Sequence, residues 1–335
     1  MRESHLKWLA CPACRAALAA RADRREADGR IAAGELTCVG CGAGYPIRGG
    51  VPRFVPPMNY AAGFGLQWNA HARTQYDSHN GTKISETRFF AETRWPRRLE
   101  GEVVLEVGSG SGRFTEQAAS TDATVVSVEY SSAVDANYAS NGARENVLIV
   151  QGDLYAMPVP RGVFNRVVCI GVLQHTPDVA RAFRVLPEYV RPGGQLVIDV
   201  YKRPRGLRRV LNTKYWVRPL TRRVPPARLY RFVRRYVGAM WPLARALSRI
   251  PRAGRHITWA LLIGDYRGVL DLSDAQLREW AILDTFDMLA PAYDTPQDLA
   301  TVRRWFEDAG LAQVEVHYGF NGIEGRGIRP AAAMP

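Results

Sequence analysis

The chain has 335 residues and 47% hydrophobic content, which is ordinary for a soluble protein and enough for two or three domains with a sizeable core. Its first residues lead into no long apolar core, and its longest apolar runs, such as Ile257 to Ile263, are far too short to cross a bilayer. Neither a signal peptide nor a spanning helix is expected, and the cytoplasm is the expected location, with a peripheral membrane contact left open.

The formal charge of +13 is unevenly spread. Of 45 Lys and Arg, 17 lie between Tyr201 and Gly264, where there is no Asp or Glu; the other 28 face 32 acids. The basicity therefore belongs to one segment, and the rest of the chain need not attract polyanions.

In chain order, Cys11-Pro12-Ala13-Cys14 and Cys38-Val39-Gly40-Cys41 come first, spaced as C-x2-C-x23-C-x2-C. Two such knuckles read as a four-thiolate zinc ribbon over residues 1–55. Two disulfides or free thiols are the alternatives, which a reducing compartment disfavours in the first case. Four protein ligands leave no open position, so this zinc would be structural. Cys169 lies in an apolar run and reads as core.

Residues 56–100 form a linker broken by Pro56-Pro57, with an aromatic stretch at Phe64-Gly65-Leu66-Gln67-Trp68-Asn69. Val103-Val104-Leu105-Glu106-Val107-Gly108-Ser109-Gly110-Ser111-Gly112-Arg113-Phe114 then reads as a buried strand, a tight turn and a helix start. Glycines at alternate positions let backbone approach a ligand with no Cβ in the way. The spacing E-x-G-x-G-x-G differs from the G-x-G-x-x-G of dinucleotide binders. A second strand, Thr124 to Glu129, ends in an acid 21 residues after Gly108, suited to accept from a ribose diol. Val147-Leu148-Ile149-Val150-Gln151-Gly152-Asp153-Leu154 is a third strand with an acid just past its end. Arg166 to Leu173, followed by Gln174-His175-Thr176-Pro177, is a fourth, a helix is expected over 178–190, and Arg191 to Val200 is a turn and a fifth strand.

These five elements, in this order, resemble class I S-adenosylmethionine (SAM) methyltransferases of the type 11 kind. Cys11 to Phe54 resembles the Trm112-like zinc-ribbon modules that precede or partner some methyltransferases. The resemblance implies an α/β fold: a doubly wound, Rossmann-like, seven-stranded sheet with an N-terminal zinc ribbon and a helical cap insertion. It implies a SAM-binding core over 101–201, a basic, aromatic-rich cap over 202–294, and a C-terminal helix and strands over 295–335 that complete the core.

Carried over by motif position, Glu106, Gly108, Ser109, Gly110 and Gly112 would shape the methionine end of the cofactor site. Glu129 and Tyr130 would sit at the ribose, and Gly152, Asp153 and Leu154 at the adenine, with Asp153 accepting from the exocyclic amine. Ile170 to Leu173 would pass beside the sulfonium, with Gln174 following. Tyr60, Gln67 and Trp68 resemble a lid over the cofactor; a helix packed on the sheet edge is the plainer alternative. His175 is the first candidate base, because imidazole titrates close to neutral pH, although the same His-Thr-Pro can simply shape the rim. Asp284, Asp287, Tyr293 and Asp294 of the cap are further candidates.

Leu229, Phe232, Val233, Tyr236, Val237, Met240 and Trp241 recur at helical spacing, flanked by Arg228, Arg231, Arg234 and Arg235. This predicts an amphipathic basic helix, kinked or ended by Pro242. It is a cap packed on the core, a contact with anionic lipid, or a nucleic-acid surface. Thr295-Pro296-Gln297-Asp298 is expected to start a helix that Gly310 stops, followed by strands over 312–318 and 319–328.

The expected activity is methyl transfer to a small molecule, such as a secondary metabolite, a sugar or a lipid-linked intermediate, with oxygen favoured as acceptor. An rRNA or tRNA base methyltransferase that binds RNA through the basic segment is the alternative, although no N-P-P-Y or D-P-P-Y motif follows the fourth strand. A non-catalytic scaffold or activator is a third reading, against which the intact glycine turn, Glu129 and Asp153 speak.

Overall fold

The computed structural model describes residues 1–57, 59–206, 212–251 and 253–331. Two sheets organise them. The first is antiparallel, in the order β1 (Leu18–Arg25), β2 (Ile31–Cys38), β3 (Gly44–Arg48), β4 (Val51–Pro52). It is too small to hold itself together by burial alone. Its inward residues Leu18, Ile31, Leu36 and Ile47 join one apolar cluster with the main sheet.

The main sheet has seven strands: β5 (Val103–Val107), β6 (Thr124–Glu129), β7 (Val147–Gln151), β8 (Phe164–Cys169), β9 (Val190–Val200), β10 (Ala312–Gly319) and β11 (Gly322–Ile328). Their order is β10-β11-β9-β8-β5-β6-β7. Strands β5 to β9 pair in parallel, and β11 and β10 add antiparallel at one edge. Every residue of β5 and β7 is buried, as expected for parallel strands covered on both faces. The chain runs outward from β5 through β6 to β7, then returns to β8 on the other side of β5. That reversal opens a crevice at the carboxyl ends of β5 and β8.

The small sheet is joined to the far edge of the large one. Arg53 bridges Gln151 in parallel, Phe54 N–H donates to the Gln151 carbonyl at 2.9 Å, and Arg53 Nη1 donates to Gln151 Oε1 at 3.0 Å. Gln151 immediately precedes Gly152 and Asp153.

Between β9 and β10, the described residues of the insertion form the helices Lys214–Thr221, Pro226–Leu247, Ala253–Ala260 and Asp274–Leu289, and the Leu299–Asp308 helix follows. The insertion has its own core, in which Leu229, Val233, Val237 and Trp241 meet Leu277, Ala281, Phe286 and Leu289. The predicted stripe is thus covered largely by the Asp274–Leu289 helix.

Several local expectations are corrected. Pro242 neither ends nor interrupts the 22-residue Pro226–Leu247 helix. Buried Val237 and Trp241 before Pro242 and Ala244 after it hold the helix together by packing in the insertion's core. The helix after Pro177 runs only over Val179–Val185, followed by a 3-10 turn at Leu186–Glu188, because Pro187 supplies no N–H. Thr295 starts no helix: its N–H donates to the Gln174 carbonyl and that of Gln297 to the Tyr201 carbonyl. The helix begins at Leu299, and its cap residue Asp298 spends its carboxylate on Arg203 and Arg205. The candidate acids Asp284 and Asp287 lie on the Asp274–Leu289 helix. Its start is marked by a capping box of Ser273 and Gln276, a local signal that the sequence reading passes over.

Candidate active site

The glycine turn lies at the crevice. Gly108 has φ +78°, and a Cβ there would lie 2.2 Å from Val172 Cγ2, so only glycine lets β5 and β8 close up. A Cβ on Gly110 would come 3.1 Å from the Trp68 indole nitrogen. Gly112 and Glu106 do not face the crevice. A Cβ on Gly112 would strike the Asn137 side chain. Glu106 lies beneath the turn, where Thr115 Oγ1 donates to it at 2.5 Å. Burial lifts its carboxyl to about 7, with the Thr115 and Ser127 hydroxyls pulling the other way. Asn137 Nδ2 ties Ser109, Thr115 and Ser127 together at 3.0 to 3.1 Å. These residues hold the turn from behind.

In front of the turn is a cavity of about 600 Å³. Of the expected cofactor residues, Trp68, Gly108, Ser109, Gly110, Glu129, Tyr130, Gly152, Leu154, Ile170 and Gly171 line it. Glu129 is held in place: its two oxygens accept from Gly110 N–H at 3.0 Å and Ser131 N–H at 2.7 Å. Tyr60 packs on Tyr130 with ring centres 4.9 Å apart. Gln67 donates toward Asp287 at 3.4 Å. The Ala62–Ala70 helix, with Tyr60 just before it, thus forms one wall of the cavity.

Besides Glu106 and Gly112, two expected cofactor residues are absent from the lining. Asp153 caps the following 3-10 turn, its Oδ1 accepting from Tyr155 N–H at 2.9 Å, and is not part of the lining. Gln174 is fully buried behind the wall, and neither atom of its side-chain amide has a partner among the described residues.

His175 lines the cavity, wedged between Phe64 and Tyr201 with ring centres 5.0 and 5.3 Å away. Its Nδ1 lies 3.0 Å from the Tyr293 carbonyl oxygen. A carbonyl only accepts, so Nδ1 carries the proton and Nε2 of the neutral ring keeps its lone pair. The Tyr293 side chain is exposed and packs edge-on against Tyr60. The Tyr293 side chain is not among the residues that line the cavity.

The far half of the cavity is made by the insertion and by the segment before β5. Three acids reach it. Burial pushes the Asp284 carboxyl up to about 7; Tyr266 and Trp280 pull it down, and Asp287 pushes it further up. Asp287 accepts from the Tyr201 hydroxyl at 3.4 Å. Asp294 is paired with Lys214 at 2.9 Å. Aromatic surface comes from Trp259, Tyr266 and Trp280.

Arg88 and Arg113 also line the cavity and are missed by the sequence reading: Arg88 stands in no motif, and Arg113 follows the last glycine of the turn. Arg88 binds Glu92 and Asp199, each at 2.6 Å. Burial works against its charge, and the two carboxylates more than offset it. Asp199 in turn accepts from Gly171 N–H, so Arg88 braces the loop after β8. Arg113 donates to Gln75 and has no carboxylate partner among the described residues. Burial first, and then the nearby Arg88, lower its pKa to about 9.

The sulfurs of Cys11, Cys14, Cys38 and Cys41 all lie within 4.8 Å of one another, with Cys11–Cys41 at 3.7 Å and Cys14–Cys38 at 3.3 Å. Tetrahedral zinc with bonds of about 2.3 Å needs sulfurs roughly 3.8 Å apart. Gly40 and Cys41 N–H groups point at Cys38 Sγ at 3.4 Å, and the Tyr45 hydroxyl lies 3.2 Å from Cys11 Sγ. Such donors stabilise thiolates. The set fits a structural zinc and leaves no ligand position for chemistry.

Comparison with known proteins agrees with this geometry. Residues 105–198 match the family model described as a methyltransferase domain. Residues 2–50 match the model for Trm112p-like proteins. The chain carries a class I methyltransferase domain behind an N-terminal Trm112-like module. A ubiquinone biosynthesis O-methyltransferase of Pseudomonas paraeruginosa is 30% identical over 130 residues, covering 37% of this chain and 56% of the relative. A demethylmenaquinone methyltransferase of Mycolicibacterium gilvum is 29% identical over 202 residues, covering 57% of this chain and 86% of the relative. The chain thus spans about half the length of several curated relatives that it matches. A phospholethanolamine N-methyltransferase 2 of Haemonchus contortus, solved with S-adenosylhomocysteine, shares 14% identity at a TM-score of 0.43, covering 79% of this chain and 47% of that one. The glycine turn and Glu129 lie within the stretch that matches the methyltransferase domain; Tyr60, Trp68, Asp284 and Tyr293 lie outside both matched stretches.

Proposed function

We propose that this protein transfers a methyl group from SAM to an oxygen of a small organic acceptor. The observation that carries this reading is the continuity of one cavity. It runs from the glycine turn and Glu129 to an aromatic, acid-bearing half built by the insertion.

SAM supplies an electrophilic methyl group. The residues of the cavity suit it: a turn that only glycine permits at Gly108, a carboxylate in fixed orientation at Glu129 for the ribose diol, and the Tyr60–Tyr130 pair beside Gly152 and Leu154 for a flat base. Arg113, a half-buried cation with no carboxylate partner among the described residues, suits the carboxylate of the methionine moiety. The acceptor lies against Tyr201, Tyr266 and Trp280. His175 Nε2 takes the acceptor's proton, with the Tyr293 carbonyl holding the ring in that tautomer. Asp284, poised near neutrality by burial, is the second proton acceptor in reach of the same space. Enclosure by the insertion excludes water and aligns the reactants, which supplies much of the barrier reduction in a displacement of this kind.

The named relatives are small-molecule methyltransferases, and the wall around the acceptor half suits a compact molecule. An RNA acceptor is not favoured. The scaffold reading is opposed by the open cavity beside Glu129. Labelled SAM, incubated with the protein and a fractionated extract, tests the proposal. Label in the small-molecule or lipid-extractable fraction supports it. Label in RNA, or no SAM binding by calorimetry, overturns it.

A further inference from the structure

The insertion buries one side of its helices and leaves a second apolar side uncovered. On the Lys214–Thr221 helix and the turn after it, Trp216, Leu220 and Val224 recur every four residues and are 60%, 68% and 38% exposed. The Pro226–Leu247 helix repeats the pattern. Leu229, Val233 and Val237 face inward, whereas Phe232 and Leu243 are 59% and 45% exposed. At about 100° per residue, Phe232, Tyr236 and Leu243 fall on one stripe, and Arg228 and Arg235 border it on the side away from the buried face. Ile250 and Ile257 extend the exposed apolar surface beyond the end of this helix.

The segment that carries this surface is charged with one sign. The stretch from Tyr201 to Gly264 holds 17 Lys and Arg and no acid. Among its described residues, the ion pairs are confined to Arg203, Arg205, Lys214, Arg218 and Arg245. The exposed Arg222, Arg223, Arg228, Arg231, Arg234 and Arg235 keep their charge for something else.

We propose that this side of the insertion docks on an anionic lipid bilayer. Helices with aliphatic and aromatic side chains flanked by arginines lie in the plane of a membrane interface, the apolar groups entering the acyl boundary and the guanidinium groups meeting phosphates. The exposed set is mainly Leu, Val and Ile, which enter hydrocarbon readily and stack poorly on bases; that favours lipid over nucleic acid. No described helix is long and apolar enough to cross a membrane, so the contact is with the surface. The same segment contributes Asn212, Lys214 and Trp259 to the cavity wall, so docking sets that wall beside the lipid, from which an apolar acceptor can be drawn. The docking face itself does not depend on the methyl-transfer reading.

The test is sedimentation of the full-length protein with vesicles of phosphatidylglycerol and phosphatidylcholine, against phosphatidylcholine alone. Binding is expected only to the anionic vesicles, weakening at high salt. Trp216→Ser with Leu220→Ser, and separately Arg228→Gln with Arg231→Gln and Arg235→Gln, are each expected to weaken it by about tenfold or more. None of these side chains lines the cavity, so calorimetry with SAM and thermal melting of the variants report an intact fold. No binding to anionic vesicles, equal binding by the variants, or binding to RNA without binding to vesicles overturns the proposal.

Discussion

Nδ1 of His175 lies 3.0 Å from the backbone oxygen of Tyr293, 118 residues further along the chain. The fourth strand's loop supplies the imidazole, and the end of the insertion fixes its tautomer. In the proposed reaction Nε2 is then the ring atom left to accept a proton. Replacing His175 by Ala is expected to lower kcat by roughly 10²–10⁴, the usual contribution of a positioned base. Affinity for SAM should change little. A normal kcat in that variant would assign the residue to the rim alone.

Asp284 makes a pH prediction. Its carboxyl titrates at about 7 against an ordinary 3.8, chiefly because it is buried. The folded state therefore keeps a proton that the unfolded chain has already released. The stabilisation is complete below the unfolded value and is lost as pH rises through 7. Asp284→Asn stays neutral throughout. It is expected to melt above wild type beyond pH 7, to converge with it near pH 4, and to flatten any rise of kcat/KM around neutrality. Calorimetric scans across pH check the first two points.

Glu129 tests the cofactor reading directly. Hydrogen bonds to a charged group contribute roughly 1.5–3 kcal/mol, so Glu129→Ala is expected to raise the Kd for SAM by about 10- to 100-fold. The same change frees the N–H groups of Gly110 and Ser131, so circular dichroism should accompany the titration. Unchanged affinity would remove the ribose role.

Gly108 and Val172 form a steric pair. Gly108→Ala adds a methyl 2.2 Å from Val172 Cγ2, at a backbone angle disfavoured for Ala. Overpacking of this kind costs about 1–3 kcal/mol. Val172→Ala in the same chain should recover part of the loss, leaving the backbone strain. Additive effects in a double-mutant cycle would deny the contact.

Zinc removal tests how closely the two sheets depend on each other. A strong chelator, or Cys38→Ser, is expected to release a single metal ion and to lower the melting temperature of the whole protein. Leu18, Ile31 and Ile47 share an apolar cluster with the main sheet, and Arg53 and Phe54 bond Gln151, next to the loop that lines the cavity. SAM affinity is expected to fall with the metal. Metal content followed against melting and titration checks both.

Local chemistry makes part of this protein legible in its sequence. Four cysteines in two knuckles need one another whatever surrounds them, glycines at alternate positions announce a close backbone approach, and an acid ending a buried strand lies at the rim of a parallel sheet. These features belong to short stretches, and Cys11, Gly108 and Glu129 are readable without knowing what packs beside them. The acceptor half is different. Tyr201, Lys214, Trp259 and Asp284 stand in no motif, and they share a wall only because the insertion folds back over the crevice. Asp153 has one oxygen held by Tyr155 N–H, and Pro242 looks like a helix end but rides in a helix held by burial on both sides. In each case the outcome depends on which donor, acceptor or apolar surface arrives from a distant part of the chain, and that is decided by tertiary packing.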